Sequence, residues 1–233
     1  MNTIVPLLQV EETDHAEASI YERIRDDIIQ GRLAANERLK VAELAERMGT
    51  STNPVREALQ QLRGEGFVVM MPNRGARVRP IDETFVRDIF EIEVLIEPAL
   101  TRWFVGLATK ADLERLEELQ GQMEALNFAD PHAHSKLDMT FHQVMYDRHY
   151  NRHAVDLWWR HREILSAISR NFQTSLSRQT SVLNEHRELL RCIAAQDADG
   201  AARIIAQHVE GSGRHIIEHL RLIKNRRDSG RRS

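Results

Sequence analysis

Residues 49–79 read GTSTNPVREALQQLRGEGFVVMMPNRGARVR. Pro54 suits the first turn of a helix, where its missing backbone N–H is not needed. The polar residues before it, Ser51, Thr52 and Asn53, are cap formers. Val55, Ala58, Leu59 and Leu62 then recur at helical spacing and leave Arg56, Gln60 and Arg63 off the apolar stripe. Gly64 and Gly66 stop the helix. Phe67–Met71 is β-prone, Pro72-Asn73-Arg74-Gly75 is a turn, and Ala76–Arg79 is the return strand of a two-stranded basic wing. A helix with polar residues at its start, beside an Arg-tipped hairpin, suits the major groove of DNA and the neighbouring phosphates.

Upstream, Ile20, Ile24, Ile28 and Ile29 predict an amphipathic helix ending at Gly31. A second short helix, Leu39–Met48, carries Val41, Leu44, Ala45 and Met48 and is closed by Gly49. Helix, short helix, turn, helix, hairpin is the order of a winged helix-turn-helix. Pro80 and the Asp82 cap mark its boundary. From Asp82 onward the pattern is helical: Phe85–Phe104 with Pro98 as a kink, Asp112–Asn127, Pro131–Tyr150, Ala154–Phe172, Ser181–Gln196 and Ala198–Lys224. The expected fold is mainly α, an N-terminal winged helix-turn-helix followed by an all-helical bundle of about six helices. The domains read as a loose arm over 1–15, the winged helix over 16–80, the bundle over 81–225 and a basic, solvated tail over 226–233.

The chain has 233 residues, 42% hydrophobic and 29% charged, ordinary values for helical protein with two compact domains. No apolar run approaches the roughly 18 residues of a membrane span, and Met1–Glu12 lacks the pattern of a signal peptide, so a cytoplasmic location is expected. The single cysteine, Cys192, permits no internal disulfide and sits among Leu189, Leu190 and Ile193 as a small hydrophobe. The net charge of -3 hides local asymmetry. Arg47, Arg56, Arg63, Arg74, Arg77 and Arg79 meet only Glu57 and Glu65 nearby, a basic face on an otherwise acidic protein.

Leu44-Ala45-Glu46-Arg47-Met48-Gly49, Pro54-Val55-Arg56-Glu57-Ala58-Leu59, Glu65-Gly66-Phe67 and Arg74-Gly75 together resemble the GntR family of bacterial transcription regulators. The helical remainder resembles the FadR-like branch with its C-terminal FCD effector domain; the likeness spans about residues 16–225. It implies DNA contact by Arg56 from the recognition helix and by Arg74-Gly75 at the wing tip. The branch usually has Arg where Thr52 stands and often where Ala42 stands. Arginine reads guanine with a bidentate contact that neither Thr nor Ala can make, so the operator should depart from the branch's usual one. Lys40, Ser51 and Asn53 are the candidate replacement readers. For Ser51 and Asn53 the other reading is a role as caps alone.

A second constellation is Asp138, His142, His186 and His208. Asp138 and His142 are four apart and share one helical face; the two later histidines come from a helix pair joined near 197–200. One carboxylate and three imidazoles suit zinc, nickel or manganese. Spacing alone does not select them among eleven histidines, and an apolar-flanked histidine is usually core. His149/His153 and His215/His219 are also four apart, with more polar surroundings or near the chain end. The set does match the Asp-x-x-x-His plus two later histidines of the FCD domain, which implies a divalent metal there.

In the resembled domain a carboxylate effector commonly coordinates the metal, and an Arg of the first bundle helix helps to hold it. Glu93 stands at the matching position here. Either Arg102, Arg160, Arg162 or Arg170 substitutes, or the effector is not a plain organic acid. Trp158 and Trp159 face different ways, one toward the core and the other toward the cavity or an interface. The expected function is a homodimeric repressor of a palindromic operator, released by an organic or sugar acid. The other readings are a metal-dependent hydrolase fused to a winged helix, and a regulator whose metal is structural. No nucleophile triad, phosphate loop or dinucleotide motif favours an enzyme.

Overall fold

The computed structural model describes residues 18–29, 31–71, 75–169 and 174–230. The expected arm over 1–15, Arg74 at the wing tip and Arg170 lie outside the described residues. The N-terminal unit consists of α1 (Ile20–Ile29), β1 (Arg38–Leu39), α2 (Val41–Met48), α3 (Thr52–Gly64), β2 (Val68–Met71) and β3 (Gly75–Val78). In α3 the stripe Val55, Ala58, Leu59 and Leu62 is buried as its spacing requires. Gly49 closes α2 at φ 66, a conformation that costs glycine little, and its N–H donates to Ala45 and Glu46 carbonyls.

The wing is a three-stranded sheet in the order β1-β3-β2, not the two-stranded hairpin expected. Leu39 belongs to β1, where it pairs with Ala76, and Arg38 pairs with Arg77. An isolated hairpin is marginal in water, and a third strand that buries Leu39 covers one of its edges. Two residues are too short to display a period of two.

The remaining described chain forms α4 (Glu83–Val105), α5 (Lys110–Leu126), α6 (Pro131–Tyr146), α7 (Arg152–Ser169), α8 (Leu176–Ala194) and α9 (Ala198–Gly230). Capping side chains start several of them. Asp82 accepts from Phe85 N–H, Thr109 and Asp112 make a reciprocal capping box, and Asp130 accepts from His132 and Ala133 ahead of Pro131. Pro98 lies inside α4. α8 begins at Leu176, five residues before the expected Ser181, because Ser175 caps it. α9 continues past Lys224 to Gly230, so most of the expected tail is helical.

Two apolar cores result. One lies within the bundle, around Leu100, Phe104, Leu116, Phe141, Met145 and the fully buried Trp158. Trp159 is only partly buried and donates from Nε1 to Asp147. The other core starts in the winged helix at Ile24, Val55 and Leu62 and runs without a break into Phe90, Ile164, Leu165, Ile168, Val209 and Ile216 of α4, α7 and α9. The N-terminal unit and one end of the bundle therefore share their burial. α4 and α9 pack along each other, so closely at Gly213 that an added Cβ would lie 2.8 Å from Phe90 Cγ. No helix among the described residues is long and apolar enough to cross a membrane.

Candidate functional site

Asp138 and His142 project from α6, His186 from α8 and His208 from α9. One ligand atom from each lies within 4.8 Å of all the others, the one such group among the described residues. His142 Nε2 is 3.8 Å and His186 Nε2 is 3.6 Å from Asp138 Oδ1. The three imidazoles are buried. His142 Nδ1 and Nε2 and His186 Nε2 have no hydrogen-bond partner among the described residues. A buried polar atom left unpaired costs about 1–3 kcal/mol, so a convergence of three marks a place for a cation.

The surroundings prepare these nitrogens as ligands. His186 Nδ1 donates to Gln120 Oε1 at 3.1 Å, and the amide of Gln120 is oriented by its own bonds to Glu124 and Leu183. His208 Nδ1 donates to Glu185 Oε2 at 2.9 Å. A donating Nδ1 leaves the Nε2 lone pair for a metal. Burial, with the neighbouring Arg162, holds His142 well below its ordinary pKa; burial, with His208, brings His186 down to about 3. Burial alone would raise Asp138, but the Arg162 guanidinium beside it outweighs that and keeps the carboxylate ionised. Neutral imidazoles and a charged carboxylate are the metal-binding forms. Four nitrogen and oxygen donors of this kind fit a borderline divalent ion such as zinc.

Arg162 donates from Nη2 to Asp138 Oδ2. Behind His142, Glu97 Oε2 lies 3.9 Å from His142 Nδ1 and accepts from the Tyr146 hydroxyl at 3.2 Å. Tyr146 in turn meets Thr101 Oγ1 at 2.9 Å.

A cavity of about 690 Å³ opens beside the cluster, with Asp138, Arg162 and His208 in its wall. Glu93 is not in that wall. It is buried and hydrogen-bonded to His161 Nδ1 of α7, and burial pushes its carboxyl up to about 8. The acid thus faces a histidine instead of the cavity. Arg102 pairs with Asp199 on the surface at 2.9 Å, and Arg160 is exposed; neither lines the cavity. Of the described candidate arginines, Arg162 alone does.

Sequence reasoning missed Arg178. It lines the cavity and is anchored through both terminal nitrogens: Nη1 donates to both Glu185 oxygens, and Nη2 to the His208 carbonyl and Ser212 Oγ, each at 2.9 Å. The signal was available, since Arg178 and Glu185 are seven apart on one helical face and Glu185 precedes His186. Of the two lower-ranked histidine pairs, His215 lines the cavity and His149 stacks on Tyr150 beside Trp103.

On the winged helix, Ser51, Asn53 and Arg56 are exposed at the start of α3, and Thr52 is half-buried. Ser51 occupies the cap position, but its side chain makes no capping hydrogen bond. Lys40 pairs with Glu43 at 2.5 Å at the start of α2, and Gly75 opens β3 at φ 75. The basic face is smaller than its arginine count. Arg47 is bonded to the buried Asp27, Arg77 donates to the Asn36 carbonyl, and Arg79 donates to the Gly66 carbonyl under Phe85.

The family model described as "Bacterial regulatory proteins, gntR family" matches residues 16–78, and that described as "FCD domain" matches residues 88–211. The transcriptional repressor RspR of Escherichia coli (strain K12) is 26% identical over 217 residues, 93% of this chain and 93% of that protein. The galactonate operon transcriptional repressor of the same organism is 26% identical over 197 residues, 76% of this chain and 86% of the repressor. The solved structure of E. coli McbR/YncC superposes with a TM-score of 0.65 at 18% identity, over 86% of this chain and 96% of that one, a likeness of fold.

Proposed function

We propose that this chain, which belongs to the gntR family of bacterial regulatory proteins, DNA-binding transcriptional regulators and not enzymes, is a homodimeric repressor released by a carboxylate effector. Residues 16–80 are its operator reader and 81–225 its sensing and dimerising domain. Lys40, Ser51, Thr52, Asn53 and Arg56 meet the bases and phosphates, with Arg74 and Gly75 at the wing. A two-fold dimer presents two α3 helices to the half-sites of a palindrome.

The observation that carries the sensing half is the convergence of Asp138, His142, His186 and His208 in and behind the wall of a cavity. A divalent ion bound there supplies positive charge to a ligand carboxylate. Asp138 and the three imidazoles hold that ion. Arg162 orients Asp138 and brings a guanidinium to the cavity wall, and Arg178, fixed by Glu185, brings a second. These two take the part that an arginine at position 93 would have played. The relative named for galactonate favours a sugar acid among the carboxylates.

The test uses fluorescence anisotropy on DNA upstream of the protein's own gene, at fixed salt, with zinc-, nickel- or manganese-loaded protein and a set of sugar and organic acids. At least one acid should release the operator, and His208→Ala should abolish that response. Operator affinity unmoved by every acid and every metal would overturn the reading. Light scattering should return the mass of two chains.

A further inference from the structure

The cavity wall carries polar groups whose hydrogen-bonding capacity neither the metal cluster nor the two arginines exhausts. His134 stands one turn before Asp138 on α6 and lines the cavity. It is 6% exposed and stacks on Phe128 with ring centroids 3.6 Å apart. Its Nε2 is buried without a hydrogen-bond partner among the described residues, and it lies outside the group whose ligand atoms converge. Such an atom is ordinarily satisfied by something. Next to it, Ser135 Oγ of α6 faces Ser166 Oγ of α7 at 3.4 Å, the long limit for hydroxyl pairs, so both keep hydrogen-bonding capacity. Across the cavity Ser212 of α9 accepts from Arg178 and has its own O–H left to give.

An imidazole and three hydroxyls, from three helices, therefore surround one cavity beside a cationic pole. An unsubstituted hydrocarbon acid would bury these groups unpaired, at a cost for each. We infer that His134, Ser135, Ser166 and Ser212 read hydroxyl groups of the effector, which makes the ligand class a polyhydroxylated carboxylate and His134 a specificity-determining residue. The inference rests on the metal–carboxylate reading above.

The experiment is titration calorimetry on full-length, zinc-loaded protein with D-gluconate, D-galactonate and D-galacturonate, against hexanoate and adipate as six-carbon acids without hydroxyls. At least one hydroxylated acid should bind about tenfold or more tightly than either plain acid, the worth of about one well-made hydrogen bond. His134→Phe keeps the stack on Phe128 and removes the polar nitrogens. It should weaken the hydroxylated acid and leave the plain acids within about twofold of wild type. Ser135→Ala/Ser166→Ala, a milder change, should narrow the same ratio if His134→Phe fails to fold. Equal affinity for both classes, or a ratio that survives these substitutions, overturns the inference while the carboxylate reading stands. Binding of zinc with no acid bound at all overturns both.

Discussion

At Glu93 an acid stands where the resemblance leads one to expect an arginine, and its neighbours account for it. Burial raises Glu93 to about 8 and lowers His161, its partner, to about 4, so the pair shares one proton near neutrality. The signs follow from linkage. Glu93 binds its proton more tightly folded than unfolded, so its contribution is full below the usual 4.5 and is lost as pH rises through about 8. His161 runs the other way, present above 6.5 and lost as pH falls toward about 4. Glu93→Gln keeps an acceptor for His161 but cannot ionise. In thermal melts of metal-saturated protein, the fall in Tm between pH 5 and 8.5 should be shallower for Glu93→Gln than for wild type. Glu97, also raised to about 8, leaves part of the slope in place. Parallel curves would mean that Glu93 does not titrate there. On the reader, Arg56→Ala should cost about 1–3 kcal/mol of specific binding and relax base preference at one position per half-site, as read by anisotropy on operator variants. Uniform weakening on every sequence would make Arg56 a phosphate contact instead.

Individual residues also differ in how far the sequence exposes them. Asp138 and His142 declare a shared helix face by their spacing, and the folded chain brings His186 and His208 to them. Arg178 gives a fainter sign, a seven-residue spacing to Glu185. A basic residue near a helix start looks solvated, and only the fold shows it 8% exposed against Glu185 and Ser212. Charge counting misled for the same reason, since it cannot tell Arg56, in solvent, from Arg47, bonded to Asp27.

Elements were legible where an apolar stripe was long, as in α3 and α4. They were obscure where the boundary rested on a cap or on pairing with a distant segment. Leu176 opens α8 at 80% exposure, so hydrophobicity begins to repeat only after the helix has started. β1 exists because β3 is there to pair with it, a contact across 37 residues for the Leu39–Ala76 pair. The α4–α9 contact is likewise invisible until both helices are placed. There Gly213→Ala drives a methyl to 2.8 Å from Phe90 Cγ and 3.2 Å from its Cβ, atoms that cannot swing aside as a flexible tip would. Overpacking of this kind costs about 1–3 kcal/mol, or roughly 2–4 °C of Tm per kcal/mol for a chain of this size. A thermal melt of Gly213→Ala at or above the wild-type Tm would show that α4 can move away without loss.

At the scale of the molecule, the cavity beside the candidate metal cluster and the winged helix meet in shared apolar side chains. The bundle core around Leu116, Phe141 and Trp158 is large and built from apolar side chains. Chelation should therefore leave the helical circular dichroism nearly unchanged, lower Tm, and abolish the response to effector; collapse of helix content would make the metal structural. Transmission needs a component common to cavity and reader. Phe90, Leu165 and Ile216 line the cavity and also belong to the core that begins in the winged helix. Leu165 is placed best of the three, because α7 carries it, holds Asp138 through Arg162, and packs against α1. An effector that repositions Leu165 disturbs the seating of α1 on α7, and with it the separation of the two α3 helices in a dimer. Coupling of this sort is commonly about 1–3 kcal/mol, a ratio of roughly 5- to 150-fold between operator affinities with and without effector. Leu165→Ala removes the shared side chain but leaves the proposed metal ligands and both arginines. Its operator affinity ratio should shrink toward one, while effector affinity, measured by calorimetry without DNA, changes by much less. If the ratio stays at the wild-type value, the signal travels by another route, through α4 and the wing.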